Sequence, residues 1–157
     1  MTIDMVITQI AVSRIVWSIV LAALLAKLIK AGILAKEQQT FRWRHLFAAG
    51  GMPSVHTATV TALTASLLLE EGVTPLSIAV AVFSAIVIRD AVGVRWQIGV
   101  QGRAINALIR HLRHAQEKGR LQAREVTDVP GHTPNQVIAG MCLGLLVTIM
   151  VYSTVYL

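Results

Sequence analysis

Four long apolar segments separated by polar connections form the main pattern of hydrophobic and polar positions along the chain. They cover roughly residues 5–29, 57–69, 75–94 and 134–157. A helix needs about 20 apolar residues to cross a bilayer, so the pattern predicts about four transmembrane helices. The first continues through Ser13, Arg14 and Lys27, whereas the second is short and rich in alanine and threonine. We therefore expect the second helix to pack against protein more than against lipid.

The connection between the third and fourth segments carries a shorter, amphipathic pattern. Its apolar residues recur at helical spacing; they are Ile98, Ile105, Leu108, Ile109 and Leu112. Its arginines, Arg103, Arg110 and Arg113, occupy other faces of the same helix. Such a pattern is typical of a basic helix lying in the membrane interface. The predicted fold class is therefore all-α, an integral membrane protein with about four transmembrane helices plus a basic amphipathic interfacial helix. Residues 1–157 are expected to form a single domain.

The composition supports a membrane protein. Hydrophobic residues make up 55% of the chain and charged residues 14%, whereas a soluble domain usually carries about 25% charged residues. In so apolar a chain, the net charge of +6 indicates loops that face anionic lipid headgroups and anionic substrates. We expect membrane lipids as partners and no nucleic acid. A homo-oligomer stays open, because four short helices make a small core, and the single cysteine, Cys142, excludes an intrachain disulfide.

Charge asymmetry predicts the orientation of the helices. Most lysine and arginine residues lie in two connections, residues 27–44 and 89–124. The connection between the second and third segments carries Glu70 and Glu71 and no basic residue. The positive-inside rule places both basic connections in the cytoplasm and both termini outside. We expect a protein of the bacterial inner membrane whose two basic loops and active site are cytoplasmic.

Two histidines stand at the starts of apolar segments, each at the end of a basic connection. His56 lies in GGMPSVHT (residues 50–57) and His132 in PGHTPNQ (residues 130–136). Glycine, proline and hydroxyl residues are typical of a tight turn entering a helix, and helix starts attract phosphate through their unpaired N–H groups. One histidine can attack phosphorus while a second protonates the leaving oxygen. The two clusters therefore predict a phosphoryl-transfer site.

Further residues on the same face are candidates to bind phosphate or to orient a histidine. Phosphoryl oxygens need cations, and the candidates are Lys30, Arg42, Arg44 and Arg95. Lys30 is also placed to snorkel to the interface. Ser54 is a candidate phosphate ligand and a candidate N-cap. Asp90 can orient a histidine or pair with a neighbouring arginine.

The sequence predicts neither a metal nor a cofactor. No close cluster of His, Cys, Asp and Glu has the spacing of metal ligands. His45, His111 and His114 lie in the basic connections, where we expect them to be solvated.

Together these residues resemble the divergent branch of the type 2 phosphatidic acid phosphatase superfamily, which is related to vanadium haloperoxidases. The resemblance covers nearly the whole chain. Its anchors are Lys30, the runs 50–56, 89–95 and 131–134, Gln101, Asn106 and Gly140. The superfamily's Pro-Ser-Gly-His motif maps onto residues 53–56, which implies that His56 is the acid for the leaving group. Its last motif, a histidine nucleophile followed four residues later by a carboxylate, maps onto His132 and Gln136.

The sequence departs from the superfamily pattern near its last motif. Glu125 and Val126 occupy the places of the expected Ser-Arg pair, and Arg95 is the candidate to replace that arginine. Gln136 has no charge, so it stabilises an imidazolium less than a carboxylate would. Gln136 and Thr133 also fit the pattern of a capping box, which is a purely structural role.

The resemblance and the histidine clusters imply a metal-independent membrane phosphatase. We expect it to hydrolyse a lipid phosphate monoester or diphosphate through a histidine nucleophile at the cytoplasmic face. Phospholipid headgroups and polyprenyl phosphates are equally open as substrates. The alternative is a non-catalytic lipid- or phosphate-binding membrane subunit that retains the pocket, and Gln136 and the missing Ser-Arg pair favour it.

Overall fold

The computed structural model describes residues 2–40, 42–43, 45, 50–115, 124–126 and 131–154, and every regular element within them is helical. The helices are α1 (Ile3–Val12), α2 (Arg14–Glu37), α3 (Val55–Glu71), α4 (Pro75–Val92), α5 (Val94–Ala115) and α6 (Pro134–Ser153). Three stretches of this described part are long and apolar enough to cross a membrane: Arg14–Glu37, Pro75–Arg113 and Pro134–Ser153. The all-α membrane fold is confirmed, and α3, with 17 residues, is the short helix expected from the second apolar segment.

The first apolar segment forms two helices, because the chain breaks at Ser13. The Ser13 hydroxyl accepts a hydrogen bond from the Val16 N–H at 3.4 Å, and its backbone is extended, with φ −67° and ψ 118°. Ser13 is therefore the N-cap of α2. Across the break, the Trp17 indole N–H donates to the Ala11 carbonyl at 2.7 Å. The continuous first helix predicted over residues 5–29 is wrong, since hydrophobicity alone does not reveal a cap inside an apolar run.

The interior of the bundle is built from small residues. Its buried cluster consists of Ala22, Ala26, Ala58, Ala62 and Val147. Large apolar side chains are instead exposed along the outer faces of α2, α4 and α6. A large exposed apolar surface around a small-residue interior is the arrangement expected of helices that face lipid outward and pack closely inward.

Helix α3 lies at the centre, in contact with α2, α4 and α6. It meets α6 most closely at Gly140 and Gly144, which are one turn apart. A Cβ added at Gly140 would lie 2.6 Å from the Ser54 carbonyl oxygen, and one added at Gly144 would lie 2.5 Å from the Ala58 carbonyl oxygen. Small residues spaced by four let two membrane helices approach to backbone contact.

Helices α3 and α6 run in parallel. At their starts, the Ser54 N–H donates to the Gln136 carbonyl at 3.0 Å. Near their ends, the Tyr152 hydroxyl donates to the Ser66 carbonyl at 3.1 Å. We call the end of the bundle where both helices begin the histidine end, because His56 and His132 lie there; α2 and α4 finish at this end.

At the opposite end of the bundle, here called the glutamate end, three polar side chains contact one another. The Tyr152 O–H hydrogen is shared between the Ser66 carbonyl and a Glu70 carboxylate oxygen, which is the nearer acceptor at 2.7 Å. Arg14 forms an ion pair with Glu70 at 3.8 Å. The Arg14 guanidinium also lies 4.8 Å from the centroid of the Tyr152 ring. These contacts connect the start of α2 to the ends of α3 and α6.

Helix α5 follows α4 after a break at Gly93 and has the predicted amphipathic character. Its apolar residues Ile98, Ile105, Leu108 and Leu112 are exposed, whereas Asn106 is buried. An exposed apolar stripe on a helix that also carries several arginines is typical of an interfacial helix.

Candidate functional site

Two capped helix starts meet at the histidine end. Ser54 caps α3, because its hydroxyl accepts hydrogen bonds from the Thr57 N–H at 3.4 Å and from the Thr57 hydroxyl at 3.0 Å. At the start of α6, the Thr133 N–H donates to the Gln136 side-chain oxygen at 3.1 Å. The predicted capping roles of Ser54 and Gln136 are therefore observed. Both helix starts, with the partial positive charge of their helix dipoles, face the same end of the bundle.

His56 and His132 are neighbours across this junction. Their ring centroids lie 6.4 Å apart, with the ring planes at 88° to each other. His56 is the second residue of α3 and is exposed, whereas His132 is only 9% exposed. The His132 N–H donates to the Ala91 carbonyl at 3.3 Å, which ties the turn before α6 to the end of α4. One ring is therefore accessible and the other is nearly buried.

A small cleft opens between the two rings and the end of α4. It is lined by His56, Val87, Asp90, Ala91 and His132 and has a volume of about 30 Å³. That volume suffices for about one water molecule, so any larger group could contact the cleft only at its mouth, beside the exposed ring. Of the predicted site residues, the cleft brings together the two histidines and Asp90.

Lys30 is buried inside the bundle. It is 6% exposed, and a Cβ added at Gly51 would lie 3.0 Å from the Lys30 Cδ atom. Gly51 has a positive φ of 82°, a conformation that glycine adopts without strain. The turn before α3 therefore covers the stem of Lys30, and its roles as a phosphate ligand and as an interface lysine both stay predictions.

The three candidate arginines are not among the residues that line the cleft in the described part of the chain. Arg42 is exposed, and its backbone N–H donates to the His45 Nδ1 atom at 3.4 Å. Arg44 lies outside the described residues. Arg95 is the second residue of α5, and its side chain lies outside the described part. Their roles as phosphate ligands stay predictions.

His45 differs from its predicted solvated state. It is 3% exposed, its Nε2 atom forms a hydrogen bond with the Gln38 side-chain oxygen at 3.1 Å, and its N–H donates to the Arg42 carbonyl at 2.9 Å. The ring is therefore held against Gln38 at the end of α2, and no periodic pattern in the sequence signals that contact. His111 is exposed as predicted, and the side chain of His114 lies outside the described part.

No pattern in the sequence assigns a physical role to Asn106. In the structure, its side chain fixes a short segment that precedes His132. Its side-chain amide donates to the Val126 carbonyl at 2.8 Å and accepts from the Val126 N–H at 2.7 Å. Beside it, Glu125 pairs with Arg110 at 3.3 Å and with Arg113 at 3.6 Å. Arg110 and Arg113, arginines of the predicted amphipathic helix, therefore hold this segment, which we call the 124–126 segment, against α5.

The cleft brings two imidazoles and one carboxylate together. Among the residues whose positions are described, no three His, Cys, Asp or Glu side chains lie together as metal ligands would. Two imidazoles beside two helix starts can exchange protons and stabilise negative charge on phosphoryl oxygens.

Comparison with known proteins gives one family and one relative. A family model described as "Divergent PAP2 family" matches residues 11–147. The chain is 33% identical over 138 residues to "Uncharacterized membrane protein YuiD" of Bacillus subtilis (strain 168), a match that covers 82% of this chain and 87% of that protein. No solved structure matches. The matched region contains both histidine clusters and the cleft between them.

Proposed function

The chain belongs to the divergent PAP2 family, as its motifs predicted, and we propose that it is a membrane phosphatase acting on a lipid phosphate monoester or diphosphate. The observation that carries the proposal is the pairing of His56 and His132, with ring centroids 6.4 Å apart. Each ring stands at a helix start, where N–H groups and the helix dipole favour bound phosphate. In this proposal the histidine end faces the cytoplasm.

His132 acts as the nucleophile, and His56 acts first as an acid and then as a base. A ring nitrogen of His132 bonds to phosphorus while the ester P–O bond breaks, and His56 gives its proton to the departing oxygen. His56 then takes a proton from water, whose oxygen attacks phosphorus and breaks the P–N bond. Inorganic phosphate leaves, and both rings return to their starting states.

The different exposures of the two rings support this division of roles. His132 is nearly buried and its backbone is bonded to Ala91, which suits a nucleophile that must be held in one position. His56 is exposed, which suits a group that exchanges protons with the leaving oxygen and with water.

Asp90 is the residue that we assign to orienting His132. It lines the same cleft and directly precedes Ala91, whose carbonyl accepts the His132 N–H. A carboxylate can hold an imidazole in position and stabilise its protonated form. Gln136 is less suited to this role, because its side-chain oxygen already accepts the Thr133 N–H.

The second candidate function is a non-catalytic subunit that binds lipid or phosphate. Two observations favour it: the Gln136 side chain serves as a helix cap, and Val126, in the place of an expected arginine, is bonded to Asn106 through its backbone. Such a protein would keep the two helix starts and bind phosphate without turnover.

Phosphate release by purified protein separates the two functions. The parent protein is assayed in detergent with EDTA against phosphatidic acid, a polyprenyl monophosphate and a polyprenyl diphosphate. We expect release by the parent and none by His132→Ala. His56→Ala should lose about 10²–10⁴-fold, the usual contribution of a general acid, and less with an aryl phosphate whose leaving group needs little protonation.

His111→Ala is the matched control, because His111 is exposed on α5 and lies outside the cleft. It should keep parental activity. A phosphoenzyme should be trapped in the parent and absent from His132→Ala. Equal release by the parent and by both cleft variants would refute the histidine mechanism, and absence of release with retained vanadate binding would favour the binding subunit.

A further inference from the structure

An open groove lies further along the bundle from the histidine end, between α3, α4 and α6. This groove has a volume of about 250 Å³, and its walls include Thr61, Ala65, Ala81, Ala85, Met141 and Leu145. Met141 and Leu145 are partly exposed along its edge, so the groove opens toward the surface that faces lipid. Because most of its lining is apolar, the groove suits a hydrocarbon chain.

The groove continues the line of the histidine cleft. Both cavities are bounded by α3 and α4 and by the chain that forms or leads into α6. On α4 the cleft is lined by Val87 and Ala91, and the groove by Ile88 and Ser84, so the two linings adjoin within one turn. On α3, Thr61 of the groove follows His56 by little more than one turn.

Small residues on one face of α4 create the hollow. Three small residues, Ala81, Ser84 and Ala85, recur at helical spacing and line the groove together with Ile88. Ala79 and the large side chains of Val82 and Phe83 are exposed on the other side of the helix. Val82 and Phe83 thus lie away from the groove, whereas Ile88 closes its end nearer the histidine cleft.

One hydroxyl in the groove is left for a ligand or a water molecule. Thr61 is 9% exposed, and its hydroxyl has no hydrogen-bond partner among the described residues. By contrast, Thr64 bonds to Ser84 at 2.8 Å and to the Val60 carbonyl at 2.9 Å. Buried polar atoms are usually hydrogen-bonded, so the Thr61 hydroxyl is available to a water molecule or a polar group that enters the groove.

We propose that this groove holds the hydrocarbon chain of the lipid whose phosphate sits at the mouth of the histidine cleft. The position of the phosphate rests on the proposed function, whereas the chain site rests on the groove itself. The chain can come from a diacylglycerol phosphate or from a polyprenyl phosphate. A second apolar groove, of about 320 Å³, lies between α2, α6 and the turn before α3, and its lining includes Ile29, Ile33, Met52, Pro53 and Cys142. It is the alternative chain site, but its described lining includes no α4 residue, whereas α4 forms one wall of the histidine cleft.

Photocrosslinking of the full chain in lipid nanodiscs tests this site without requiring turnover. The probes are phosphatidic acid and a polyprenyl monophosphate, each with a diazirine in the hydrocarbon chain, and mass spectrometry locates the adducts. We expect adducts on Met141 and Leu145. A diacylglycerol probe with the same chain and no phosphate should label these residues severalfold less.

Filling the groove should remove the adducts. Ala85→Leu places a larger side chain in it and should lower labelling of Met141 and Leu145 severalfold. Ala79→Leu, the same substitution on the outward face of α4, should leave labelling unchanged. Folding of Ala85→Leu is judged by its elution as a single species. If it does not fold, Ala81→Leu replaces it as the groove variant.

Three results would overturn the proposal: adducts on Ile29 and Ile33 instead, equal labelling of all outward faces, or unchanged labelling in a folded groove variant. The probe that gives groove adducts identifies the chain as acyl or polyprenyl. Groove adducts in a protein that releases no phosphate would support the chain site while the phosphatase proposal fails. Phosphate release without groove adducts would support the phosphatase proposal and contradict the chain site.

Discussion

Asp90 and Gln136 are the two side chains assigned from the sequence to orient a histidine, and their surroundings differ. Gln136 stands in the first turn of α6, and its oxygen accepts the Thr133 N–H at 3.1 Å. Asp90 lines the cleft between the histidines. An oxygen already used to cap a helix is less available to an imidazole, so the structure favours the carboxylate of α4 over the residue that the family motif would select.

We predict that Asp90→Asn lowers phosphate release, whereas Gln136→Ala lowers stability. A hydrogen bond to a charged group contributes about 1.5–3 kcal/mol, so Asp90→Asn should lose on the order of tenfold or more. Loss of the Gln136 cap should cost about 1 kcal/mol of unfolding free energy. Both are measured on the same preparations, by phosphate release and by thermal unfolding in one detergent.

Gln136→Glu is the control that separates the two roles. It keeps an oxygen for the Thr133 N–H and places a negative charge in the first turn of α6, so stability should be equal or higher. Loss of release in Gln136→Ala together with full activity of Asp90→Asn would contradict the assignment and return the orienting role to Gln136.

At the scale of helices, the sequence is sufficient to predict where a helix begins when an N-cap residue stands at the edge of an apolar run. Helices α3, α4 and α6 begin directly after Ser54, Thr74 and Thr133, each at the edge of an apolar run. The predicted starts of these helices lie within two residues of the observed ones. Ser13 is the same kind of signal inside an apolar run, and the break there was missed. Helix α5 was predicted because its amphipathic spacing is itself local.

Contacts between distant parts of the chain could not be predicted in the same way. The common face of His56 and His132 followed from charge asymmetry, but their separation depends on the close approach of α3 and α6 at Gly140 and Gly144. His45 is buried and held against Gln38 at the end of α2. Periodicity describes one helix at a time, so it gives no information on such contacts.

The bond between Asn106 and Val126 supports a prediction at this scale. Asn106→Ala leaves the N–H and carbonyl of Val126 without partners, and each hydrogen bond contributes about 0.5–1.5 kcal/mol. We expect faster amide hydrogen exchange at Val126 and lower phosphate release, because the 124–126 segment leads into the turn that carries His132. Hydrogen exchange and phosphate release are measured on the same protein.

Gln97→Ala, an exposed substitution on the same helix, should change neither quantity. Faster exchange at Val126 with unchanged phosphate release would show that the 124–126 segment does not position the histidine.

For the whole molecule, the two ends of the bundle differ in charge. Both basic connections join helices at the histidine end, whereas Glu70 and Glu71 lie at the other. Arg14 is the one basic residue at the glutamate end in the described part of the chain, and it is engaged by Glu70 and by the Tyr152 ring. Arg14 is therefore partly neutralised and does not weaken the asymmetry that orients the protein.

The asymmetry predicts that the histidine end faces the cytoplasm. Thr40 is exposed at that end, and Val73 is 81% exposed in the turn between α3 and α4 at the other. In a Cys142→Ala background, which removes the native cysteine, Val73→Cys should react with a membrane-impermeant maleimide on intact cells. Thr40→Cys should react only after permeabilisation, because positively charged connections are retained inside. The reverse pattern would place both histidines outside, where a phosphatase would act on lipids of the outer leaflet.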